Sequence, residues 1–137
     1  MEFDSFTEIF EFLIDNPKSH INGSVEYLAA DDAIKKYVSN TDLNKTVNNI
    51  DFWHFGQINF GYFSMGAINS LDLFGIDELI IFSIYKRMQK YVKNSLDFGA
   101  NIGLHSLAMG RMGWHVRAFE PDQKHFTKLE LNLSENG

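Results

Sequence analysis

Residues 95–120 read SLDFGANIGLHSLAMGRMGWHVRAFE, and this stretch decides the fold. A short β-strand ends at Asp97, a loop bearing Gly99 and Gly103 follows, and Leu104, Leu107 and Ala108 then share one face of a helix. Gly110 to Gly113 stops that helix, and a second strand runs from Val116 to Phe119 and ends at Glu120. Strand, glycine loop, helix and strand in this order form the opening βαβ half of a nucleotide-binding α/β sheet.

Each position in the unit has a physical task. Gly99 stands where the backbone turns sharply and a ligand approaches with no Cβ in the way, and Gly103 lets the helix pack close to the strand. An acid closing the second strand can accept hydrogen bonds from both hydroxyls of a ribose. Glu120 lies 21 residues after Gly99, near the spacing of about 20 that this task requires. A dinucleotide site needs Gly-x-Gly-x-x-Gly, so that a helix N-terminus holds the pyrophosphate. Here Asn101 stands in the second glycine's place. Asp97, just before the loop, would repel a pyrophosphate but suit a cation. S-adenosylmethionine carries a sulfonium and an ammonium group and no phosphate.

The run Leu96-Asp97-Phe98-Gly99-Ala100-Asn101-Ile102-Gly103-Leu104-His105-Ser106, then Ala118-Phe119-Glu120-Pro121-Asp122, then Phe126, Leu129, Asn132, Leu133, Asn136 and Gly137, closely resembles the FkbM-type S-adenosylmethionine-dependent methyltransferases. The pairing of an Asp-x-Gly-Ala-Asn-x-Gly loop with a Phe-Glu-Pro strand end is fairly specific to that family within the class I enzymes. The resemblance covers about residues 72–137 and is weak before Ser95, while residues 1–70 resemble no family. It implies a Rossmann-like class I fold with S-adenosylmethionine as cofactor. Asp97 would face the amino-acid end of the cofactor, and the backbone of Gly99, Ala100 and Asn101 would line its pocket. Gly103 would allow close packing at the helix start, Glu120 would hold the ribose hydroxyls, and Pro121 with Asp122 would lie near the adenine. His105, in the first helical turn, either contacts the cofactor's carboxylate or packs as a structural histidine. The resemblance points to oxygen methylation on a sugar or other small metabolite, hence a small-molecule or glycan acceptor. No catalytic base or acceptor-binding residue is indicated.

Upstream, Ile76 to Val92 reads as a helix with Leu79, Ile80, Tyr85 and Met88 among its apolar positions and Asp77 and Glu78 at its electropositive start. Phe6, Ile9, Phe10 and Leu13 recur at i, i+3, i+4 and i+7, which predicts a helix opened by a Ser5–Glu8 capping box and stopped at Asn16-Pro17. A second helix from Val25 to Val38 is capped by Ser24 and carries an Asp31–Lys35 pair, and residues 39–49 connect. Between Ile50 and Phe74, aromatics alternate with glycines, which suits one hairpin or a small meander. Those rings read better as a compact core than as a platform for a planar ligand. The chain thus divides into an α+β N-terminal extension, residues 1–75, and the start of a cofactor-binding domain, residues 76–137.

Composition narrows the remaining choices. With 137 residues, 45% hydrophobic and 15% aromatic, the chain is neither disordered nor a disulfide scaffold. It has no cysteine, so thiolate catalysis and sulfur-based zinc sites are excluded. His54, His115 and His125 show no metal-ligand spacing, so no metal is expected. Asp31 and Asp32 cannot project from one helix face and read as solvated surface. Residues 1–80 hold 13 acids against four lysines, a net of −9, whereas residues 81–137 hold eight bases against five acids, a net of +3. Lys86, Arg87, Lys90 and Lys93 fall at helical spacing and mark a solvated face. A pI near 5.2 argues against a nucleic-acid partner, since such domains lie above about 9. No stretch approaches the roughly 20 apolar residues of a membrane span and the start is acidic, so a cytoplasmic protein without membrane contact is expected.

Only two strands of a class I sheet are present, and the loops that recognise adenine and acceptor mostly follow later strands. The chain is therefore expected to be an N-terminal portion of a longer methyltransferase, truncated after the first βαβ segment. Alone it would bind the cofactor weakly and catalyse nothing. Two rival readings follow: a non-catalytic interaction module on a Rossmann-like scaffold, its function carried by residues 50–74, and a dinucleotide oxidoreductase.

Overall fold

The computed structural model describes residues 3–40, 49–52 and 55–137. Helix α1 (Phe6–Asp15) buries Phe6, Ile9, Phe10 and Leu13, as the spacing predicts. Ser5 Oγ accepts from the Glu8 amide at 3.2 Å, but the Glu8 carboxylate takes the amide of Asp4, at 2.9 Å, so the capping box is displaced by one residue. The amide and side chain of Asn16 both donate to the Phe12 carbonyl and close the helix before a 3₁₀ turn at Pro17–His20. Helix α2 (Val25–Asn40) starts with Ser24 Oγ accepting from the Tyr27 amide at 3.0 Å. Asp31 pairs with Lys35 and Asp32 with Lys36, each one turn on, so the two carboxylates diverge. Most of the expected 39–49 connection, together with Trp53 and His54, lies outside the described residues.

Strands β1 (Asn49–Asp51) and β2 (Gln57–Asn59) make one antiparallel hairpin, with Ile50 opposite Ile58. Beyond it the chain leaves strand geometry, because local side chains take the amides a ladder would use. Ser70 Oγ accepts from Phe63 N, Asp72 from Asn69 N and Asn69 from Leu71 N. A single bridge, Ser64–Asn69, and a 3₁₀ turn at Asp72–Phe74 remain. The aromatic rings of this region are core. Phe52 is fully buried and meets the rings of Phe6, Phe10, Phe55, Phe74 and Phe82 at centroid distances of 5.1–5.8 Å.

Helix α3 (Ile76–Met88) ends four residues before the expected Val92. The carbonyl of Gln89 accepts from the Trp114 indole at 3.4 Å and its side chain donates to the Met112 carbonyl at 3.3 Å, so Gln89 is spent on tertiary bonds. Strands β3 (Asn94–Phe98) and β4 (His115–Phe119) then pair in parallel, with Asp97 beside Ala118 and Phe98 beside Phe119. Helix α4 (Leu104–Arg111) connects them and covers one face of the pair. On the opposite face Leu96, Phe98 and Phe119 are exposed, and the two phenyl rings stack at 4.8 Å. Helix α5 (Gln123–Asn136) returns to the hairpin, where the Asn136 side chain bonds both backbone groups of Asn59.

The described residues thus form a mixed fold of five α-helices and a small parallel sheet, in keeping with an α/β class. One contiguous apolar cluster runs from Phe6 to Trp114 and spans the division at residues 75 and 76. No helix among the described residues is long and apolar enough to cross a membrane.

Candidate functional site

β3 and β4 end side by side, and the chain leaves β3 through residues 99–103 in a tight loop. The amides of Gly99 and Ala100 both donate to the Phe119 carbonyl, at 2.9 and 3.1 Å, folding the loop over the end of β4. Three residues have positive φ: Gly99 (74°), Asn101 (53°) and Gly103 (90°). Asparagine is the side chain that best tolerates this left-handed region in place of glycine. A Cβ on Gly99 would meet no atom within 4 Å, so the space before it is open. At Gly103 a Cβ would stand 3.1 Å from Leu129 Cγ. The close approach that this glycine permits is therefore to α5, not to the strand.

Glu120 is held on both oxygens. Oε2 accepts from the Asn101 amide at 2.7 Å and Oε1 from the Asp122 amide at 2.9 Å, so the carboxylate is fixed across the loop from β4. Pro121 follows it, and both line an open cavity of about 380 Å³ with Ala118, Phe119 and Phe126. Asp122 is the N-cap of α5. Its Oδ1 accepts from the His125 and Lys124 amides at 2.9 Å, and these bonds, that from His125 foremost, hold its carboxyl below the usual range. Ala100 is buried under the turn, and the Asn101 side chain carries a buried Oδ1 with no hydrogen-bond partner among the described residues.

Asp97 points to the α4 side of the sheet and accepts from Ser106 Oγ at 2.6 Å. Next to it, α3 and α4 are joined by a bracket of three side chains. His105 Nε2 lies 2.6 Å from Glu78 Oε2, and its Nδ1 lies 2.9 Å from the Tyr85 hydroxyl. A neutral ring with the proton on Nε2 satisfies both contacts, donating to Glu78 and accepting from Tyr85. The ring also packs on Phe82, with centroids 4.8 Å apart. Both nitrogens of His105 are thus engaged within the fold, as in a packed structural histidine. Burial, with the nearby charges of Asp97 and Glu78, pushes the Tyr85 hydroxyl up to about 12.

Asp97, Gly99, Ala100, Asn101 and Glu120 therefore meet at one end of the strand pair. Gly103 and His105 lie behind them, against α5 and α3. The sequence names Ser106, Glu78, Tyr85 and Asn132 but gives none of them a partner at the site; the structure joins them to Asp97, His105 and Ile102. Glu78 and Tyr85 stand seven residues apart on one helix face, a spacing that was visible while the first passed for a dipole acid and the second for a core ring. No known protein family, curated protein or solved structure matches this chain.

Proposed function

We propose that the chain carries the cofactor-binding part of an S-adenosylmethionine-dependent methyltransferase of the FkbM type, on a Rossmann-like class I sheet, with a sugar or small-metabolite hydroxyl as acceptor. One observation carries the reading. Of the five loop amides, those of Gly99, Ala100, Asn101 and Gly103 are already bonded within the fold. The loop has few donors left for a pyrophosphate, whereas Asp97 and Glu120 flank it with carboxylates. Such a donor and acceptor set fits a ligand with ribose hydroxyls and cationic groups, and it disfavours a dinucleotide.

When bound, S-adenosylmethionine would supply a methyl group activated by its sulfonium. Glu120, pre-oriented by two backbone amides, would accept from the ribose hydroxyls with its remaining lone pairs. Asp97, steadied by Ser106, would attract the ammonium end. Gly99 leaves the approach open, and Pro121 bounds the cavity beside Glu120. Isothermal titration with S-adenosylhomocysteine, which shares the nucleoside and ammonium groups, tests the assignment. Asp97→Ala and Glu120→Ala are each expected to weaken binding at least about tenfold, the cost of one charge-assisted hydrogen bond. Unchanged affinity in both variants, or tighter binding of NADH than of S-adenosylhomocysteine, would overturn it.

A further inference from the structure

Asn132 is wholly buried, on the face of α5 that also holds Leu129, where an aliphatic side chain would fill the space without the cost of desolvating an amide. Its Nδ2 donates to the carbonyl of Ile102 at 2.7 Å. Ile102 sits between the two left-handed residues Asn101 and Gly103, in a segment whose carbonyls have no regular ladder to join. About one turn before Asn132, Leu129 packs on Gly103. One turn after it, Asn136 Nδ2 donates to the Asn132 carbonyl at 2.7 Å and to the Asn59 carbonyl at 2.8 Å, while Asn136 Oδ1 accepts from the Asn59 amide at 2.7 Å. An unbroken run of contacts leads from the hairpin strand β2, through Asn136 and Asn132, to the loop.

We infer that Asn132 is a positioning residue, which holds the 99–103 loop so that the Asn101 amide meets Glu120, with Asn136 fixing the helix that carries it. It acts through the loop and touches no ligand. A buried aliphatic side chain at this place would keep the helix packed, but it would leave the Ile102 carbonyl without its donor and shift the turn between Asn101 and Gly103. The geometric part stands whatever nucleoside is bound, while the affinity part rests on the methyltransferase reading.

The test uses the full chain with Asn132→Leu and, in case that variant does not fold, Asn136→Ala. In ¹H–¹⁵N spectra the Asn101 amide, deshielded by its bond to the Glu120 carboxylate, is expected to move upfield in either variant, while amides of α1 such as Leu13 keep their positions. Affinity for S-adenosylhomocysteine is expected to fall at least about tenfold with Asn132→Leu. A lower melting temperature with the Asn101 signal unmoved would reduce Asn132 to a packing residue and overturn the inference. A shifted signal with undiminished affinity would overturn it as well. If the unmodified chain binds no S-adenosylhomocysteine, the methyltransferase reading fails, and the Asn101 signal alone decides the positioning role.

Discussion

At Gly103 a methyl group would meet Leu129 at 3.1 Å on a backbone already at φ 90°, whereas at Gly99 the same group would enter open space at φ 74°. Both substitutions carry the left-handed penalty of about 1–2 kcal/mol, and only Gly103→Ala adds a steric one. Urea unfolding should therefore rank Gly103→Ala below Gly99→Ala; on the proposed methyltransferase reading, Gly99→Ala, by narrowing the approach, should also weaken S-adenosylhomocysteine binding, read by isothermal titration. Tyr85 supplies a second residue-scale expectation. Its hydroxyl keeps its proton to about 12 in the folded chain, against 10.0 in the ordinary state. The unfolded chain thus releases this proton first, so the contribution of Tyr85 is complete below pH 10 and declines as the pH rises toward 12. Urea midpoints on either side of pH 10 should show wild type losing more stability than Tyr85→Phe. The loop glycines were legible because φ demands leave a mark on residue type. The Glu78–His105–Tyr85 bracket was not, since its partners stand 27 and 20 positions from His105 and only packing of α3 on α4 unites them.

At the scale of elements, helix ends follow local chemistry where a side chain can reach its own backbone. Ser24 caps α2, and Ser24→Ala should cost about 1 kcal/mol, read as a shift in the urea midpoint with an unchanged slope. Helix α1 and helix α4 could be drawn from apolar spacing within a residue or two, because each buries one regular stripe, and the strands flanking α4 could be placed by the glycine loop and turn that bound them. The end of α3 could not, because Gln89 is drawn away by Trp114 and Met112, more than 20 positions on. Of the two alternatives for Ile50 to Phe74, among the described residues the hairpin forms and the meander does not, for a related reason. The aromatic and glycine content of residues 60–75 suits strands, but Ser70, Asn69 and Asp72 take the amides that a strand would offer its neighbour. On α5 a polar Asn132 interrupts the apolar stripe at a buried position, and no periodicity argument gives an asparagine that task.

Across the whole molecule, the aromatic cluster makes the described residues before position 76 and residues 76–137 structurally interdependent. Phe52 from the first part packs on Phe82 from the second, and Arg111 of α4 donates to the Asn136 carbonyl at 2.8 Å and to the Gln57 carbonyl of β2 at 3.4 Å. Phe52→Ala should cost about 3–5 kcal/mol, and the loss should appear equally in amides of α1 and of β3 during hydrogen exchange. Protection lost in α1 alone would show two separately folding units. The uncovered face of the parallel strands sets a condition on how the folded state is recognised. Phe98 is 71% and Phe119 47% exposed, stacked on each other in water. A hydrophobic dye such as ANS is expected to find this platform on the folded 137-residue chain, so the fluorescence conventionally taken as the mark of a molten globule should be present even where the core is packed. For this chain the near-ultraviolet circular dichroism of its packed rings is the signal that separates the two states.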